Sequence, residues 1–188
     1  MANVVFLSAA STRLSRTVTV AQYRSLAQAG DRKRLGTFIR NRFAERYFRP
    51  AEKSCAKHGF AQMAVACLVI ETLESFYRGL TDTRRHSKEM FSGFFERDTA
   101  LKIFGGGDDW FYNDVRCGIL HQAETRRGWR VLRVGPLLDR QAKTINATTF
   151  LRELRKAVEK YAEAMEADET TWQLFRRKMD AVCANCDG

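Results

Sequence analysis

The chain has 188 residues, 45% hydrophobic and 11% aromatic, with only 12 glycines and 2 prolines, a composition that can bury a core and excludes collagen-like and broadly disordered classes. Lys and Arg total 32 against 22 Asp and Glu, a net charge of +10, and residues 1–60 hold 12 of the basic side chains but only 3 of the acidic ones. The longest apolar run, Ala64 to Ile70, is about a third of the ~20 residues that a spanning helix uses, so no membrane segment and no membrane partner is predicted.

Residues 1–30 contain Arg and Ser but no acid, and 1–35 reads as a basic, solvated N-terminal arm. The same composition also fits a transit peptide, but no positive segment precedes Val4 to Ala10, which argues against a secretory signal. Five cysteines are too few and too scattered for a disulfide-stapled secreted module. A reducing cytoplasm is the compartment they predict.

Residues 36–167 read as an antiparallel helical bundle, and 168–188 as a C-terminal helix and tail. Phe38, Ile39, Phe43 and Tyr47 recur at helical spacing, while Arg42, Arg46, Arg49 and Lys53 follow on another face, with a possible restart at Pro50. Phe60 to Leu80 predicts a long core helix with Ala61, Ala64, Val65, Leu68, Thr72 and Phe76 on its buried stripe. Ser87 is placed to cap a short helix that buries Phe91, Phe94 and Phe95. Gly105-Gly106-Gly107-Asp108-Asp109 breaks the pattern, and an aspartate there would cap a helix over Trp110 to Glu124. Residues 129–145, with Gly135-Pro136 at the turn, predict a small β-hairpin. Asn146 caps a helix burying Phe150, Leu154, Val158, Tyr161 and Met165, and a last helix places Trp172, Phe175, Met179 and Val182 on one side. The fold class is therefore all-α with a hairpin insert.

Phosphate-loop, zinc-protease, nucleophile-elbow and EF-hand motifs are all missing from the sequence. The glycines at 105–107 could approach a phosphate, but Asp108 and Asp109 put negative charge where the anion would sit. Cys183 and Cys186, with Cys55 and His58, are the only groups at metal-ligand spacing, and a loop-and-tail reading of them is preferred to zinc. No metal and no cofactor is predicted.

The segment FYNDVRCGILHQAE, 111–124, carries Arg116 and His121 five apart among apolar neighbours. At about 100° per residue the two diverge by about 140°, so one helix cannot aim both at one atom without the Arg bending round. Asp114 is seven residues before His121 and close to its face, which leaves open an ion pair on a solvated stripe.

This motif helix, the preceding segment ETLESFYRG at 71–79 and the bundle pattern resemble the HEPN superfamily, over about Phe60 to Met165. The Arg-x4-His spacing is the motif of its catalytic members, which are metal-independent ribonucleases, and the segment is similar to bacterial members with a YxDVRCGxLHQ-like helix. The resemblance implies that Arg116 and His121 are catalytic and that two motif helices face each other across a homodimer. It implies a supporting acid at Glu74 or Glu71, although Glu74 with Arg78 at i and i+4 equally reads as a surface pair. Asn113 and Asp114 complete the candidate support. Cys117 departs from the polar residue that often follows the motif Arg, and Ala123 from the Tyr of toxin-type members.

The expected function is RNA endonucleolysis by attack of the 2′-OH, in a bacterial defence or toxin-type setting. His121 would transfer protons and Arg116 would stabilise phosphate charge, with Arg42, Arg46, Arg49 and Lys53 on the RNA backbone and Trp110 or Tyr112 available to stack a base. The alternatives are a catalytically silent nucleic-acid or nucleotide-binding module, and a basic interaction protein regulated by an acidic partner, such as an antitoxin or other regulatory protein.

Overall fold

A computed structural model describes residues 9–52 and 58–186. It is mostly helical. In chain order the helices are α1 (Val20–Gln28), α2 (Arg32–Phe43), α3 (Arg49–Glu52), α4 (Gly59–Tyr77), α5 (Ser87–Arg97), α6 (Cys117–Gln122), α7 (Ala147–Ala167) and α8 (Glu169–Ala184). Strands β1 (Arg130–Leu132), β2 (Leu138–Asp139) and β3 (Thr144–Asn146) lie between α6 and α7. Helix α4 packs against α5, α7 and α8, and α2 crosses α7.

The segment expected to be an arm is, from Leu14 onward, part of this body. Thr19 and Gln22 form a reciprocal capping box at the start of α1. Val20, Tyr23 and Ala27, spaced three and four apart, are buried, and the Tyr23 ring packs against Phe38 and Phe175. Asp31 caps α2, so a helix runs across the expected boundary at residue 35. Arg and Ser on the outer face of α1 mask this short apolar stripe in the composition. The C-terminal helix is likewise integral, burying Trp172, Phe175, Met179 and Cys183, with Val182 only half-buried.

After Phe43 the helix widens into a π-helical stretch over Ala44–Phe48. This places Phe48 in the core and leaves Tyr47 half-buried, and it also breaks the basic stripe. Arg42 and Arg46 both donate to the Leu14 carbonyl, and burial pushes the Arg42 guanidinium down to about 10, with Arg46 adding to the shift. Two of the four proposed RNA-gripping residues therefore hold the N-terminal segment. Arg49 is exposed, and Lys53 lies outside the described residues.

Helix α4 is long and apolar enough, by length and composition, to cross a membrane, but it is the core helix of the body. Its buried positions include Met63, Ala66, Cys67, Ile70, Leu73 and Glu74. The stripe expected to be buried is the more open side: Ala61 and Leu68 are exposed and Ala64, Val65 and Thr72 half-buried, with only Phe76 in the core. A helix this apolar has no polar face to orient it, so neighbours fix its rotation.

The hairpin becomes a mixed sheet in the order β1-β3-β2, with β1 parallel and β2 antiparallel to β3. The turn at Gly135, φ +92, reverses the chain, but β3 lies between β1 and β2, and its last residue, Asn146, is tied to the turn. Its side-chain amide donates to the Gly135 carbonyl and its backbone N–H to Leu137. The same side chain, through its oxygen, caps α7 by accepting from the Thr149 N–H. The buried stripe of α7 is the expected one.

Candidate functional site

The motif segment is not one regular helix. Phe111–Arg116 is π-helical and Cys117–Gln122 α-helical, ending at Ala123 in a left-handed conformation with φ 55. Such widened turns cost hydrogen-bond regularity and concentrate at functional positions. Gly118 is required just after it: a Cβ there would sit 2.5 Å from the Glu124 carbonyl oxygen, because the chain turns back across the helix.

Arg116 is the last residue of the π turn and faces α4. One guanidinium nitrogen lies 3.4 Å from Glu71, and the two side chains are 15% and 20% exposed. The guanidinium also stacks over Tyr112, 5.3 Å from the ring centroid. Burial works against its charge, but a hydrogen bond with Cys117 and the nearby Tyr112 and Glu71 outweigh that and hold Arg116 above its ordinary value. Its Nε is buried with no hydrogen-bond partner. A buried N–H of this kind costs stability unless a ligand or water completes it.

Glu71 is positioned from two sides. Its second oxygen accepts a 2.8 Å hydrogen bond from Ser87 Oγ, and the cap of α5 falls to His86 without a side-chain bond. Ser87, read from sequence as a cap, instead fixes the acid that fixes Arg116. Cys67 lies beneath this group, with burial pushing its thiol up to about 12 despite the neighbouring Arg116.

His121 is one α-turn beyond Arg116 and Cys117, and it is exposed. Among the described residues it makes no hydrogen bond or ion pair with Arg116. Glu74 also does not join Arg116. It is fully buried, held by Arg78 at 2.7 Å and Arg97 at 3.0 Å. Of the two acids on α4, only Glu71 belongs to the site.

Asn113 and Asp114 serve the loop after α6. The Asp114 carbonyl accepts from the Arg126 N–H and its carboxylate lies 3.6 Å from Arg127, so neither the Asp114–His121 nor the Asp114–Arg116 pair forms. The Asn113 carbonyl accepts from Arg126. Trp110 is buried and stacked on Trp129, with centroids 4.0 Å apart, whereas Tyr112 is half-buried and beside Arg116. Of the two rings, it is Tyr112 that lies beside Arg116.

Among the described residues no three His, Cys, Asp or Glu side chains converge on a point. Cys183 is buried, Cys186 half-buried and His58 exposed, and Cys55 lies outside the described residues. Comparison of the chain with protein-family models, with curated proteins and with solved structures gives no match.

Proposed function

We propose that the chain is a metal-independent RNA endonuclease of the HEPN type, working as a homodimer whose two motif segments line one cleft. The observation that carries this reading is Arg116, anchored by Glu71 and Tyr112 yet with its side chain still 15% exposed, on the same segment as an exposed His121 one turn on. A planar, permanently charged fork suits a phosphate. An exposed imidazole, with one ring nitrogen to accept a proton and one to donate, suits proton transfer.

Exposed apolar side chains flank the pair. Leu68, one turn before Glu71, is 47% exposed and Leu120, one turn after Arg116, is 43% exposed. Their burial against a second copy would bring Arg116 of each protomer toward His121 of the other and resolve the divergence on a single helix. In that cleft the 2′-oxygen bonds to phosphorus as the bond to the 5′-oxygen breaks. One His121 takes the 2′-OH proton, the other protonates the leaving oxygen, and Arg116 stabilises the charge on the crowded phosphate. The products are a 2′,3′-cyclic phosphate and a 5′-OH. A reducing cytoplasm and a defence or toxin-type role fit this activity.

A second reading, a catalytically silent RNA- or nucleotide-binding module, is favoured by the lack, among the described residues, of a hydrogen bond orienting the His121 ring. The two separate in one experiment. Wild-type and His121→Ala protein are incubated with mixed cellular RNA in EDTA, and fragment ends are analysed. Cleavage by the wild type alone, leaving cyclic phosphate ends, supports the nuclease, whereas binding without cleavage by either protein supports the silent module.

A further inference from the structure

Beside the Arg116 site, a cavity of about 270 Å³ is walled by Phe91, Phe95, Phe111 and Tyr112, with Ser92 and Asp109 as polar lining and the Gly105–Gly107 loop along one side. That volume is at the small end for ligand pockets, about 300–1,000 Å³, and suits one ring system. Tyr112 joins the two sites, because it lines the cavity and also carries the Arg116 guanidinium over its ring. A phosphate on Arg116 is therefore within one nucleotide's reach of the cavity.

The glycine loop is shaped to approach closely. Gly106 has φ +140, a conformation other residues rarely adopt, and a Cβ on Gly105 would come 3.3 Å from the Phe95 Cβ. The Gly106 and Gly107 N–H groups donate to no described residue. At the end of the same turn, where its own N–H donates to the Gly106 carbonyl, Asp109 accepts from Lys88 at 2.7 Å and from Ser92 at 3.1 Å. A carboxylate offers about four acceptor sites, so two remain.

This lining discriminates between ligands. Asp109 and Glu96 repel a phosphate from the cavity, while the aromatic walls and a carboxylate acceptor favour a flat ring with adjacent N–H donors. Guanine presents N1–H and N2–H side by side, which a carboxylate accepts together, and its O6 is an acceptor for a glycine N–H. Adenine offers only its exocyclic amine as a donor on that edge, and uracil a single N–H. A second groove shares Ser92, Glu96 and Asp109 and is bordered by Arg78 and Lys88, where an adjoining phosphate finds cations.

We infer that this cavity takes one unpaired purine base of the RNA, guanine ahead of adenine, and so sets where the chain is cut. The identification of the ligand as RNA rests on the nuclease reading, but recognition of the base does not require cleavage.

The test is equilibrium titration of the four nucleoside 5′-monophosphates into wild-type, Asp109→Asn, Ser92→Leu and His121→Ala protein, each checked for a native melting transition. Asn tolerates the φ of 49 at position 109, and Leu at position 92 fills the cavity from an α-helix that accepts it. Wild type and His121→Ala should bind GMP at least about tenfold more tightly than UMP. Asp109→Asn should bring the two within about threefold, and Ser92→Leu should abolish saturable binding. Equal binding of GMP and UMP by the wild type, no saturable binding of any nucleotide, or an undiminished preference in Asp109→Asn would overturn the inference. Selective GMP binding by a protein that cleaves no RNA would remove the nuclease reading and leave the base pocket standing. RNA cleavage without nucleotide selectivity would do the reverse.

Discussion

Two glutamates three residues apart on α4 show how the same residue type is put to opposite uses. Glu74 is fully buried and saturated: Arg78 reaches it from the same helix and Arg97 from α5 with both a 3.3 Å and a 3.0 Å hydrogen bond. Gly93 makes room, since a Cβ there would lie 2.0 Å from an Arg78 nitrogen. Glu71 is partly open, and its partner Arg116 keeps an unpartnered Nε. A closed ion cluster holds α4 to α5, whereas the pair of Glu71 with Arg116 stays partly open.

Breaking Glu74 should have the largest effect on the fold. Glu74→Ala leaves two guanidinium groups without their carboxylate and should cost about 3 kcal/mol, the low end for a broken buried pair because both arginines are partly exposed. For a chain of this size that is a melting temperature lower by roughly 6–12 °C, and a shift of less than about 2 °C would contradict the structural role. Arg116→Lys should show the reverse pattern, a native melting transition with cleavage down at least about 100-fold, because a point charge does not replace the fork. A soluble Lys variant with full activity removes Arg116 from the chemistry.

Glu71→Gln sharpens the contrast. It keeps an acceptor for Ser87 but loosens Arg116, so cleavage should fall about tenfold through misplacement while stability changes by less than about 1 kcal/mol. Equal losses of stability in Glu71→Gln and Glu74→Ala would erase the distinction.

The sequence offers both acids to the site with equal force, because i and i+4 spacing marks Glu74–Arg78 but nothing local announces Arg97, 23 residues on, or Ser87. Those partners depend on how α5 lies across α4, a tertiary fact. Helix α7 was legible throughout, since Asn146 caps it and its apolar stripe alternates with charge. The rotation of α4 was not, and Leu68, expected inside, is instead an exposed neighbour of Glu71. The parallel pairing of β1 with β3 is a backbone ladder between segments about 14 residues apart and leaves no period in the sequence. Tyr112 was one of two candidate aromatics, and the stacking of Trp110 on Trp129 leaves it as the one beside Arg116.

The basic side chains separate on the same logic of saturation. Arg49→Ala should reduce the salt slope of RNA binding by about one with stability unchanged. Arg42→Ala should lower stability and leave that slope alone, because Arg42 serves the Leu14 carbonyl. The smallest effect is electrostatic: hydrogen bonds from the Thr171 backbone and side chain hold the Asp168 carboxyl below its ordinary value. Its contribution is present above the unfolded carboxylate pKa, about 3.9, and is lost as pH falls through the lowered folded value. Asp168→Asn, an equally good cap, should flatten that part of the acid dependence of the melting temperature, and an unchanged profile would place the dependence elsewhere.

The shared cleft is the centre of the account, and mixing wild-type with inactive subunits tests it most directly. Wild-type and His121→Ala proteins are combined in equal amounts, allowed to exchange subunits, and assayed on RNA in EDTA. If one cleft uses His121 of both protomers, only the quarter of randomly mixed dimers that are wild type on both sides cleaves, and activity should fall to about one quarter of that of the same amount of wild-type protein. A mixture that keeps about one half, as independent protomers would, contradicts the shared cleft.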